Sequence, residues 1–349
     1  MRPDIPFHQF GRRIIPVFFA FLFALPALSI AQEPMTVFVS ILPQQHFVER
    51  IGGDRVSVRV MVSPGASPAT YEPKPRQMTA LSKAGLYCAV GVPFESVWIE
   101  RIASANPDMT IVRTQAGIEK RAMAAHHHGH GDDDSGHGHG HDHDHSAEES
   151  HHGHDPDGHA AHEHAEKGHQ HDHHGHAAPS ETKKSGGIPD PHVWLSPPLV
   201  MQQARNILDA LVAADPEGRS YYATRYREFL SEIVELDLDL MEKFAAPDAK
   251  GQFMVYHPSW GYFADAYGLT QIPVELEGKE PKSGQLQGLI ERAREDGVQV
   301  VFVQPQFSKR SAEIIAKAID GEVVEVDPLA ENWAENLRSV ADHFASAVR

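Results

Sequence analysis

Three residues far apart along the chain carry side chains suited to holding a divalent cation: His192, His257 and Asp327. Imidazole nitrogen and carboxylate oxygen are the donors that borderline Zn²⁺ accepts, at roughly 2.0–2.2 Å in tetrahedral geometry. His257 follows the apolar run Phe253-Met254-Val255-Tyr256, and Asp327 follows Glu322-Val323-Val324-Glu325-Val326. His192 lies in Asp190-Pro191-His192-Val193-Trp194-Leu195, where neighbouring prolines restrict the backbone and favour a preorganised side chain. Each residue taken singly equally suits a structural role. A histidine after a strand is commonly a satisfied core residue, and Asp327 before Pro328 can cap a turn.

The elements that must position these side chains read as alternating strands and helices. In the first half, residues 36–41, 55–62, 86–90 and 109–112 read as strands, and 75–84 and 94–105 as helices. In the second half, 253–256, 271–276, 298–303 and 322–326 read as strands, and 259–267, 283–295, 308–319 and 331–348 as helices. Such alternation implies a mostly parallel sheet flanked by helices in each half. Ligands then bind beyond the carboxyl ends of the strands, where His257 and Asp327 stand. Between the halves, Tyr222, Tyr226, Phe229, Ile233, Leu236 and Leu240 recur at spacings of three and four and predict a helix over 216–244. At 1.5 Å per residue it spans about 45 Å, enough to run along two lobes. The expected fold class is therefore α/β: two lobes joined by one long backbone helix. The expected division is an N-terminal lobe over 32–197, a linker region with the long helix over 198–246, and a C-terminal lobe over 247–349.

Composition sets further bounds. Of 25 histidines in 349 residues, 20 fall between His126 and His176, inside a tract over 122–187 almost devoid of large apolar residues. Such a tract cannot bury enough surface to offset chain entropy and reads as a disordered insert in the N-terminal lobe. Its clustered imidazoles suit weak, multi-site collection of Zn²⁺ while they are neutral; a pH-responsive solvated loop and a nickel-binding tract are the alternatives. Residues 1–31 read as an export signal: Arg12 and Arg13, then an apolar stretch, then Ser29-Ile30-Ala31 as a cleavage site. Cys88, the single cysteine, excludes an intrachain disulfide and reads as a packed thiol in the run Leu86-Tyr87-Cys88-Ala89-Val90. A formal charge of −17 argues against a nucleic-acid partner. His-Glu-x-x-His, Gly-x-Ser-x-Gly and P-loop motifs are missing, so no enzyme is expected.

A series of short motifs carries a stronger signal. Ser40-Ile41-Leu42-Pro43, Pro64-Gly65-Ala66-Ser67-Pro68-Ala69-Thr70-Tyr71-Glu72-Pro73 and Asp190-Pro191-His192-Val193-Trp194 are followed by Tyr256-His257-Pro258-Ser259-Trp260-Gly261-Tyr262-Phe263 and Asp327-Pro328-Leu329. In this order they resemble the metal-specific solute-binding proteins of bacterial ABC importers, the zinc and manganese family. The resemblance implies a metal held between two lobes, with His192, His257 and Asp327 as ligands. It also implies zinc over manganese, because the position of His257 is typically Glu in manganese members. One position departs from the pattern: the family's first ligand is a histidine where this chain has Ala69. His46, after the first strand, is the preferred substitute, ahead of a histidine from the insert, a water, or Glu72.

The expectation is a periplasmic protein that captures Zn²⁺ as cargo and passes it to an ABC permease. It would be a monomer, touching the inner membrane only through that permease. A manganese or iron receptor, a zinc-dependent hydrolase and a periplasmic metal buffer are the alternatives.

Overall fold

A computed structural model describes residues 33–123, 188–245, 251–275 and 278–348. Residues 1–31, read from the sequence as an export signal, and nearly all of the histidine-rich insert lie outside the described residues.

The described residues form two four-stranded, fully parallel sheets. The first contains β1 (Met35–Val39), β2 (Val56–Val60), β3 (Leu86–Ala89) and β4 (Thr110–Arg113) in the order β2-β1-β3-β4. Its helices are α1 (Leu42–Gly52), α2 (Pro75–Leu81) and α3 (Pro93–Ala105). After the insert come α4 (Pro197–Ala214) and the long α5 (Arg219–Lys243). The second sheet contains β5 (Gln252–Val255), β6 (Thr270–Pro273), β7 (Val300–Val303) and β8 (Glu322–Glu325) in the order β6-β5-β7-β8. Helices α6 (Gly261–Tyr267), α7 (Ser283–Glu295), α8 (Arg310–Ala318) and α9 (Trp333–Ala347) flank it. The same strand order recurs in both lobes, so each has one point where the chain reverses direction across the sheet. These points lie beyond the carboxyl ends of β1 and β3 and of β5 and β7, where parallel sheets bind ligands.

The long helix is shorter than its sequence pattern predicts. Pro216–Gly218 forms a 3-10 turn, and the α-helix starts only at Arg219. Asp215 causes the break: its carboxylate accepts from the Gly218 amide, the Tyr222 hydroxyl and Arg55, which cap the turn and the following helix. The 25 residues that remain span about 37 Å. They touch α1 and α4 on one side and α9 on the other, so the helix does bridge the lobes. Helix α4 lies within the stretch assigned to the linker. It buries Val200, Ala204, Ile207 and Leu211 against α1 and α5 and belongs to the packing of the first lobe.

The core does not divide at the lobe boundary. One contiguous cluster of buried residues runs from Phe38 and Phe47 in the first lobe, through Trp194 and Phe229, to Trp333, Phe253 and Phe344 in the second. A smaller cluster, including Met254, Val301, Leu289 and Ile315, fills the opposite face of the second sheet. Cys88 is buried in the first core, and burial raises its thiol pKa to about 12, as expected of an inert packed thiol. No helix of the described residues is long and apolar enough to cross a membrane.

Candidate metal site

His257 stands two residues past β5. The register of β5 and β6 pairs Val255 with Pro273, and continuing it by two residues sets Glu275 beside His257. The side chains meet there: His257 Nδ1 lies 2.6 Å from Glu275 Oε1. The His257 amide donates to Gln304 at 3.1 Å, and its ring stacks on Phe307 with centroids 4.8 Å apart. Backbone, imidazole edge and imidazole face are all restrained.

His192 is held in a matching way by a local device. Asp190 Oδ1 lies 2.7 Å from His192 Nδ1 and also accepts from the His192 amide at 3.0 Å. Both supporting carboxylates are buried, Asp190 at 1% exposure and Glu275 at 4%. A carboxylate on Nδ1 fixes the tautomer with the proton on that nitrogen and leaves Nε2 as the free donor, the arrangement found around metal-bound imidazoles. Burial lowers the His192 pKa against the opposing pull of Asp190, so the ring is neutral at neutral pH, as metal binding requires.

The two imidazoles come together. Their ring centroids lie 5.2 Å apart, across a crevice of about 70 Å³ lined by Ser67, Ala69, Trp194, Gln306, Phe307 and Leu329 among others. That volume takes a metal ion and a few waters but no organic solute of ordinary size. Ala69 lines the crevice where the resemblance expects a histidine, and its methyl group offers no donor.

Asp327 does not line this crevice. It lines an adjoining cavity of about 210 Å³ with Ile41, Ser63, Gly65 and Glu331, and Leu329 borders both spaces. Its Oδ1 accepts from the Leu329 amide at 2.9 Å and from Gln306 Nε2 at 3.0 Å. The first bond is the turn-capping role its sequence context allows, and the second ties it to a residue of the crevice wall. Among the described residues no three His, Cys, Asp or Glu side chains converge as a metal cage.

The structure does not bring His46 to the crevice. The ring sits in an aromatic cluster, 5.8 Å from Phe229 and 6.3 Å from Trp333 between centroids. Its place on α1 aims it at the long helix and the start of α9 instead of at the carboxyl ends of the strands. Burial, with the nearby charge of Arg50, lowers its pKa to about 4. Glu72 is exposed and lines neither cavity. His343 is exposed on α9, next to a cavity at the opposite end of the second sheet.

Sequence reading gave no role to Asp190, Glu275, Gln306 or Phe307. Asp190 had a local signal, an acid two residues before a candidate ligand. Glu275 becomes visible only once the strand register is known.

Comparison with known proteins bears on the family. A family model described as zinc-uptake complex component A, periplasmic, matches residues 37–347. The chain is 33% identical over 132 residues to the high-affinity zinc uptake system protein ZnuA of Bacillus subtilis, covering 37% of this chain and 41% of that protein. It is 24% identical over 336 residues to the zinc-binding protein AdcA of Streptococcus pyogenes, covering 95% and 57%. The chain thus spans about half the length of these relatives. A crystal structure of ZnuA superposes with a TM-score of 0.71 at 35% identity, covering 90% of this chain and 100% of that one. With a match over nearly all of its described length, the chain belongs to the family of periplasmic zinc-uptake complex component A.

Proposed function

We propose that the protein captures Zn²⁺ in the periplasm and presents it to the permease of an ABC importer. The observation that carries this reading is the pair His192 and His257, 5.2 Å apart between centroids and each tied through Nδ1 to a buried carboxylate. Two imidazole donors favour zinc over the harder manganese, which prefers oxygen donors. Asp327, joined to the crevice wall through Gln306, supplies the carboxylate, and water fills the position that Ala69 leaves without a donor. The ion is cargo and undergoes no chemistry, so the protein is a carrier and not an enzyme. Residues 1–31 direct export and are removed, and the carrier works as a monomer. The first lobe begins at residue 32, holds the histidine-rich insert at 122–187 and takes in α4, and the second lobe begins at 247.

Isothermal titration of the metal-free protein with Zn²⁺ and Mn²⁺ tests the reading. The expected result is one tight Zn²⁺ site that His192→Ala and His257→Ala each abolish, with Mn²⁺ unable to displace Zn²⁺. Tight Zn²⁺ binding that survives both substitutions would overturn it, and preferential Mn²⁺ binding would assign the protein to manganese.

A further inference from the structure

The three segments carrying His192, His257 and Asp327 are stapled to one another by side-chain hydrogen bonds that avoid the candidate ligands themselves. Tyr262, on the helix that follows His257, donates its hydroxyl to the Asp190 carbonyl at 3.1 Å, across 72 positions of chain. The same hydroxyl accepts from the Arg121 amide at 3.0 Å, so its hydrogen is committed to Asp190. Arg121 strengthens this join through its ion pair with Asp265 at 2.5 Å and its bond to the Gly261 carbonyl. On the other side of His192, Trp194 Nε1 donates to the Pro328 carbonyl, next to Asp327, at 2.7 Å. Trp333 Nε1 returns the bond to the Trp194 carbonyl, also at 2.7 Å. Apart from the exposed Arg121–Asp265 pair, these bonds lie in buried or half-buried surroundings, where water cannot replace a lost partner cheaply.

The segment 190–195 is therefore a hub. By chain order it belongs to the first lobe, yet its own backbone carbonyls and indole are bound to both ligand-bearing loops of the second. The circuit from His257 to Tyr262, across to Asp190 and on to His192 is short, and it sets the separation of the two imidazoles. We propose that Tyr262 and Trp194 are positioning residues of the metal site: they fix the spacing of His192, His257 and Asp327 and so control how fast the ion is released. The inference rests on the metal-binding reading above.

The test measures Zn²⁺ release from the loaded full-length chain by stopped flow into a chelator. The absorption spectrum of the Co²⁺-substituted protein reports the ligand geometry directly. Tyr267→Phe is the control. It lies on the same helix and loses a comparable hydroxyl bond, to Asp237 at 2.8 Å, with no link to the ligand segments. Tyr262→Phe is expected to accelerate release about three- to ten-fold and to shift the Co²⁺ bands, while Tyr267→Phe leaves both unchanged. Trp194→Phe should act in the same direction; if it fails to fold, Tyr262→Phe decides. Release and spectra for Tyr262→Phe that match those of Tyr267→Phe would overturn the positioning role and leave the metal reading intact. A wild-type chain that holds no Zn²⁺ would remove both.

Discussion

Replacing His46 separates its structural environment from any role in metal binding. The imidazole is half-buried among Phe47, Phe229 and Trp333, and its pKa falls from 6.5 to about 4. A histidine whose folded pKa is depressed binds its proton more readily when unfolded. Acid therefore favours the unfolded chain: stability is retained above pH 6.5 and lost as pH falls from 6.5 toward 4. A shift of this size corresponds to about 3 kcal/mol when the window is fully crossed, reduced to about 2 kcal/mol at pH 4.5 once partial exposure of the ring is allowed for. His46→Phe keeps an aromatic ring in an aromatic site and removes the titration. The variant should match the wild type at pH 7.5, within about 1 kcal/mol for the altered packing. At pH 4.5 it should gain about 2 kcal/mol relative to the wild type. Urea unfolding of the metal-free proteins at the two pH values, followed by tryptophan fluorescence, gives both differences. All other titrating groups are common to the two proteins and cancel. Equal pH dependence in the two proteins would refute the neutral state of this half-buried imidazole. Loss of tight Zn²⁺ binding in the variant at pH 7.5 would show that His46 is a ligand after all.

Two further outcomes follow from the same structure. Asp190→Asn and Glu275→Gln each remove the carboxylate that orients an imidazole, and each should weaken Zn²⁺ binding about 10- to 100-fold by calorimetry while the fold is retained by circular dichroism; unchanged affinity in both would mean that the imidazoles are positioned by packing alone. The Cys88 thiol, buried and held at a pKa of about 12, should resist a disulfide reagent in the native protein at pH 8 and react within minutes in denaturant; rapid native-state labelling would contradict its place in the core.

Much of the fold was legible because its signals are local. The alternation of apolar runs with three- and four-spaced patterns gave all eight strands to within three residues of their observed ends. His257 stood out for the same reason, since a histidine at a strand's carboxyl end is visible without knowing the partner strands. What the sequence concealed depends on contacts between elements. Helix α4 was absorbed into the linker because nothing in its own residues says that Val200, Ala204, Ile207 and Leu211 pack on α1. No motif includes Glu275, and its role arises from the offset between two parallel strands. His46 follows a strand, as a ligand would, but the phase of α1 turns it toward Phe229 and Trp333. Asp327 lies beyond its strand as expected, yet the Leu329 amide and Gln306 engage one oxygen and hold it on the neighbouring cavity.

The apolar interior that crosses from one sheet to the other governs how the molecule comes apart. A chain of rings from Phe47 through Trp333, continued by other buried side chains to Phe344, leaves no seam along which two halves can separate without wetting aromatic surface. Melting should then be a single event for both halves, and neither half expressed alone should hold its shape. Wide swinging of one half against the other is closed off by the same interior. Unloading the ion then calls for small local yielding at the rim, where exposed Ala69 borders the crevice.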